Sequence, residues 1–209
     1  MNPDLVIAEA NRVCGMCACK PFRDTFRDFL GPVVRGGAWD LSKPFRQWTE
    51  NGKIRTEGVS TCSLSTEQIW KGAGGRVPSD WYPYDWAKNP TFVRTHVWAE
   101  KMGALGDLRF LPLEGAAIWT ASHFIACLTK WFDPWDITLP YQDAWTVEGG
   151  GTCLLKKDGH EGRGLQTVHQ HHRRYWPGPK PTIADVYKDG SVGPKSTVLG
   201  WVDVSRLPG

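Results

Sequence analysis

From Asn2 to about Cys19, Leu5, Val6, Ala8, Ala10, Val13 and Cys17 recur at near-helical spacing, and Asn2-Pro3 suits an N-cap followed by a first-turn proline. This pattern predicts an opening helix. A second short helix is expected around Asp24 to Leu30, stopped by Gly31-Pro32, after which the Gly-, Trp- and turn-rich stretch Val33 to Lys53 reads as irregular. Between Gly58 and Gly75 small polar residues lead into Leu64, Ile69 and Trp70, and Gly74-Gly75 close the segment. That is a loop, then a helix, then a glycine stop, with Cys62 at the helix start. The Pro-rich aromatic stretch Arg76 to Asn89 follows, and Phe92, Val93, Val97, Trp98 and Met102 predict a further helix from about Pro90 to Met102.

After Gly106 the pattern changes to short apolar runs between turns: Ala116 to Thr120, His123 to Trp131, Asp143 to Glu148, Leu165 to His169 and Val198 to Val204. Gly149-Gly150-Gly151, Asp158-Gly159 and Pro177 to Pro181 break them. Helices first and an antiparallel sheet second is the α+β arrangement. We read residues 1–55 as an N-terminal helical and irregular segment packed on a core formed by 56–209, one structural domain in all. No internal repeat or low-complexity tract appears.

Composition narrows the function classes. At 209 residues with 41% hydrophobic and 22% charged positions, the chain matches a globular domain with a real core. The formal net charge of +3 comes from dispersed charges, without the dense Lys/Arg block of a nucleic-acid binder. The one local basic run, His169, His171, His172, Arg173 and Arg174, reads as the solvated end of a strand rather than an anion site. No apolar stretch approaches the roughly 20 residues of a membrane helix, and Met1-Asn2-Pro3-Asp4 lacks the basic-then-apolar order of a secretion signal. Synthesis in the cytoplasm is therefore expected, with delivery by another route if the substrate lies outside. The 12 Trp stand out, since a large amphipathic ring packs in cores and also stacks on sugars.

Six Cys occur, at 14, 17, 19, 62, 127 and 153. Cys14, Cys17 and Cys19 lack a second Cys/His pair at zinc-finger spacing, so they read as small apolar residues of the first helix. Alternation along a strand puts His169 and His171 on one face, which suits a metal, but no third ligand is evident. Cys127 and Cys153 read as core. Cys62 is different, because the free N–H groups of a helix start favour a thiolate and can also face an oxyanion. His123, leading the run Phe124 to Leu128, is a candidate base, and Glu148, at the end of Thr146-Val147-Glu148, a candidate to hold the second ring nitrogen. Read singly, His123 is also compatible with a core histidine and Glu148 with a surface charge.

The stretch from Gly58 to Gly74, with Ala73-Gly74 and Pro78 after the helix, resembles the active-site helix of the cysteine, histidine-dependent amidohydrolase/peptidase (CHAP) family and its NlpC-type relatives. Leu113-Glu114-Gly115-Ala116-Ala117-Ile118-Trp119, then His123-Phe124-Ile125-Ala126-Cys127, is similar to that family's turn, strand and His-led strand. Trp145-Thr146-Val147-Glu148-Gly149-Gly150 resembles its Glu-Gly strand end, and Val198 to Pro208 resembles a Gly-Trp-containing final strand of bacterial and phage members. The resemblance runs in order from about Thr56 to the C-terminus. It departs from the family at Glu114-Gly115-Ala116, where Pro-Gly-Asp is usual, at Thr61 before the Cys, and at Leu64 after Ser63.

The resemblance implies a papain-like fold and a cysteine amidase or endopeptidase acting on peptidoglycan or related amide bonds. Cys62 would be the nucleophile, His123 the base and Glu148 the orienting carboxylate, with Trp81, Trp86 and Trp135 lining a substrate groove. Such chemistry requires no metal or cofactor, and no nucleic acid or membrane insertion is expected. The alternative is a structural or binding component of a phage particle or injection apparatus that keeps the fold with altered catalysis.

Overall fold

A computed structural model describes residues 1–17, 45–50, 53–58, 61–76, 98–121, 124–132, 139–152 and 166–209. Helix α1 spans Pro3–Val13; the Asn2 side chain accepts a hydrogen bond from the Asp4 N–H at 2.9 Å and so satisfies one of the unpaired first-turn donors. Its buried residues Val6, Ala10 and Val13 form the stripe that the sequence pattern marks. The helix stops earlier than expected. Gly15 turns the chain with φ +95°, its N–H donates to the Val168 carbonyl, and Cys17 forms a β-bridge with Thr167. Cys14 and Cys17 therefore follow the helix, and Cys17 is core against a strand from the far end of the chain.

Strands β1 (Phe45–Glu50) and β2 (Lys53–Gly58) pair antiparallel from Phe45↔Gly58 to Glu50↔Lys53. The stretch expected to be irregular thus contains a paired strand. Asn51-Gly52, the dipeptide most favoured between two paired strands, stands between them in the sequence and is the signal that identifies such a pair. Helix α2 spans Thr61–Gly72, as the pattern predicts. It closes where the Gly75 N–H returns to the Trp70 carbonyl at 2.8 Å around Gly74, whose φ of +86° places it in the left-handed region that glycine adopts without strain. Residues 98–101 are helical, the described part of the helix expected over 90–102.

The remaining strands are β3 (Ala117–Thr120), β4 (Phe124–Ile125), β5 (Cys127–Trp131), β6 (Gln142–Thr152), β7 (Gln166–Trp176), β8 (Thr182–Asp185) and β9 (Ser196–Val202). They form one antiparallel sheet in the order β4-β3-β9-β8-β7-β6-β5. Its two edge strands are separated only by Ala126, so they are the two halves of one bent strand. β4 pairs with β3 through Ile118↔Ile125, Leu128 exchanges hydrogen bonds with Gly115 and Ala116, and β5 pairs with β6 through Cys127↔Val147. The sheet consequently curls on itself as six strands, giving a mixed α+β fold. β6 and β7 are longer than the sequence pattern suggests, and β8, a four-residue strand after a proline-rich break, escapes it.

The curl creates two apolar layers. Inside it lie Ile118, Ile125, Leu128, Tyr175, Ile183 and Trp201. On the outer face, Trp119, Cys127, Val147 and Val168 meet Val6, Ala10 and Val13 of α1 and Cys62, Ile69 and Trp70 of α2. Strand alternation sorts the residues between the two layers. No described helix is long and apolar enough to cross a membrane.

Candidate functional site

Cys62 is the second residue of α2 and is buried in the outer layer. One turn on, the Thr66 hydroxyl donates to the Cys62 carbonyl at 2.8 Å, fixing the first turn from within the core. α2 packs across β6 and β4. His123, Trp81, Trp86, Trp135 and Cys153 lie outside the described residues; His123 immediately precedes the first residue of β4 in the sequence. Cys127 is core, as expected, and burial pushes its thiol up to about 12. The turn Glu114-Gly115-Ala116 has a structural use, since Glu114 Oε1 accepts the Trp131 N–H at 2.8 Å beside the start of β3.

Glu148 is neither at a strand end nor on the surface. β6 continues past it to Thr152, and its side chain is buried. Val147 points toward the helices, so Glu148 points into the curl, directly opposite His169 of β7. The same alternation carries His171, Arg173 and Tyr175 inward, and Asp185 of β8 faces Arg173. One half of the interior is therefore apolar around Tyr175 and Ile183, while the other is a polar network. The basic run read as a solvated strand end is the middle of β7, and Arg173 is buried within it. Its alternation was legible in the sequence; its partners on β6 and β8 were not.

Within this network the Arg173 Nη2 donates to Glu148 Oε1 at 2.5 Å, and its Nε lies 3.2 Å from Asp185 Oδ1. The His171 ring is held at both ends, Nδ1 at 2.8 Å from Asp185 Oδ1 and Nε2 at 3.0 Å from Glu148 Oε1. His169 Nε2 faces His171 Nε2, and the two ring centroids are 4.0 Å apart. Burial first, then the neighbouring His171, draws the His169 imidazole down to about 4, which leaves it neutral with a lone pair at neutral pH. Burial opposes ionisation of Asp185, yet the His171 hydrogen bond and the Arg173 charge hold its carboxyl below the usual carboxylate range. The third group that the sequence did not supply for His169 and His171 is Glu148: one ligand atom from each of the three lies within 4.8 Å of the others.

His172 belongs elsewhere. It points out of the curl, with Nε2 3.1 Å from Asp143 Oδ2, and its ring packs on Phe132 and Trp145. Arg174 donates to both oxygens of the same Asp143 at 2.7 and 2.9 Å.

Compared with known proteins, the chain matches no family model, no curated protein and no solved structure.

Proposed function

We propose that this chain is a cysteine-dependent amidohydrolase or peptidase of papain-like fold, acting on peptidoglycan or a related amide substrate. The observation that carries the reading is the packing of α2, which bears Cys62 in its first turn, across β4 and β6. His123 directly precedes the first of those strands in the sequence. In the proposed reaction Cys62 attacks the amide carbon and His123 takes the thiol proton and returns it to the leaving amine, while Glu148, expected from the sequence to hold the His123 ring, faces the interior of the curl away from α2 and is left out of the proposed pair. N–H groups at the start of α2 hold the developing oxyanion. Water then releases the acyl group from the sulfur. Trp81, Trp86 and Trp135 are proposed to border the substrate groove.

The test combines thiol reactivity with turnover. Near neutral pH, Cys62 is expected to react with iodoacetamide faster than Cys14, whose thiol burial pushes up, and faster than Cys127. Purified peptidoglycan should release soluble fragments with the wild-type protein and none with Cys62→Ala or His123→Ala. Absence of product from several wall types, together with labelling of Cys62 no faster than of Cys14, would overturn the enzyme reading. It would leave the binding component of a particle or injection apparatus, the role that the altered Glu114-Gly115-Ala116 turn favours.

A further inference from the structure

We infer that Glu148, His169 and His171 form a binding site for a divalent transition-metal ion of the zinc type, with Asp185 positioning the second histidine. The inference does not rest on the hydrolase reading, because it concerns the inner face of β6, β7 and β8 and is read out by metal binding alone.

Three features carry it. The donor set is two imidazole nitrogens and a carboxylate oxygen on directly paired strands, all within 4.8 Å of one another. A four-coordinate ion about 2.0–2.2 Å from each such atom sets its ligands roughly 3.3–3.5 Å apart and keeps a fourth position for water; Glu148 Oε1 and His171 Nε2 stand 3.0 Å apart, and the two imidazole nitrogens, in closer contact, part slightly to admit the ion. The second feature is the direction of the lone pairs. Asp185 Oδ1 lies 2.8 Å from His171 Nδ1, so the ring proton belongs on that nitrogen and Nε2 carries a lone pair. That lone pair points at Glu148 Oε1, 3.0 Å away, and at His169 Nε2. Such a convergence is relieved by a cation among the atoms or by a proton on one of the two Nε2 nitrogens. A carboxylate on the far nitrogen of a metal-bound histidine is also the arrangement that fixes tautomer and ring orientation in metal sites.

The third feature is charge. Among the described residues, two carboxylates, Glu148 and Asp185, converge on this cluster and share the single guanidinium of Arg173, a field that favours a bound cation. The donor set selects the ion: two imidazoles and a carboxylate suit zinc, and cobalt as its spectroscopic substitute, better than calcium or magnesium, which take oxygen ligands. His171 and Asp185 are part-exposed, with side-chain exposures of 23% and 32%, so an ion has a route in from that side. The competing occupant is a proton. An imidazolium at His171 shared between Glu148 and His169 would satisfy the same atoms, and experiment separates the two.

The purified full-length protein, stripped with a chelator, is titrated with zinc by calorimetry and with cobalt by visible absorption at neutral pH. One equivalent of zinc should bind, and cobalt should show the intense ligand-field bands of a four- or five-coordinate ion without thiolate charge transfer. His169→Gln and His171→Gln should each weaken binding by at least about 100-fold, and Asp185→Asn by about 10–100-fold. His172→Gln, on the outer face, should bind as the wild type does. Circular dichroism of each variant establishes that it is folded, and the wild-type titration needs no variant. Absence of one-equivalent zinc binding below about 100 µM would overturn the site in favour of the shared proton, given the far tighter affinities usual for zinc held by three protein ligands. Cobalt spectra dominated by thiolate charge transfer, or binding that persists in the double variant His169→Gln/His171→Gln, would overturn it in favour of the cysteines.

Discussion

Replacement of Gly200 by alanine tests the packing of the outer layer directly. Gly200 of β9 lies opposite Trp119 of β3, and the indole covers its Cα. A Cβ built on Gly200 would fall inside the ring's contact distance at three atoms, and even the farthest of them, Cε2, would be at 2.7 Å where ordinary contact is 3.4–4 Å. The ring must therefore move by on the order of 1 Å, yet Trp119 is only 4% exposed and is packed among the side chains of the outer layer. Overpacking of this kind costs about 1–3 kcal/mol, and the rigidity of both the backbone and the indole favours the upper half of that range. Urea unfolding gives the number. The diagnostic experiment is the double variant: Trp119→Leu alone should cost about 2–4 kcal/mol as a large-to-small core change, but it removes the atoms with which the new methyl collides. Gly200→Ala should therefore add almost nothing in the Trp119→Leu background, a coupling of about 1–3 kcal/mol. Costs that sum to within about 0.5 kcal/mol would show independent sites and refute the assigned contact.

Arg173→Met should destabilise the protein by about 3–5 kcal/mol, because it leaves the buried Glu148 carboxylate without its guanidinium. Adding Glu148→Gln should recover part of that loss, and a double-mutant cycle by chemical denaturation measures it; additivity would contradict the pairing. Cys127 should resist alkylation until the protein unfolds, since burial pushes its thiol from the ordinary 9.0 up to about 12. The folded value lies above the unfolded one and the thiol is neutral in its protonated form, so stability is lost as pH rises from about 9 toward 12. Cys127→Ala should lessen that alkaline slope, and an unchanged slope would exclude Cys127 as a source of it.

Local physics made part of this architecture legible. Asn2-Pro3 marked the start of α1 and Gly74-Gly75 the end of α2, because caps and left-handed glycines act over a few residues. The end of α1 is not legible in the same way, since Cys14 to Cys19 continue an apolar pattern while Gly15 and the pairing of Cys17 with Thr167 draw the chain into the sheet. The polar interior was legible only by halves. Alternation aligns His169, His171, Arg173 and Tyr175, but Glu148 and Asp185 join them through the register of β6 and β8 on β7, which one strand's sequence does not contain. Glu148 looked like a terminal charge because Gly149 to Gly151 resemble a break; the chain instead shifts register there and β6 continues.

The bent strand across Ala126 also bears on how the chain reaches its folded form during synthesis. β3 through β8 can zip together in sequence order as local hairpins, but β9, which follows all of them in the sequence, must insert between β3 and β8 before the cylinder has no open side. Until then the facing sides of β3 and β8 expose unpaired backbone, the kind of surface that recruits another chain. Closure thus depends on a pairing between distant parts of the sequence, and such long-range pairing is slow. A truncation just before Ser196 should for that reason yield an aggregating species rather than a slightly smaller folded one, visible as loss of the monomer peak in size-exclusion chromatography.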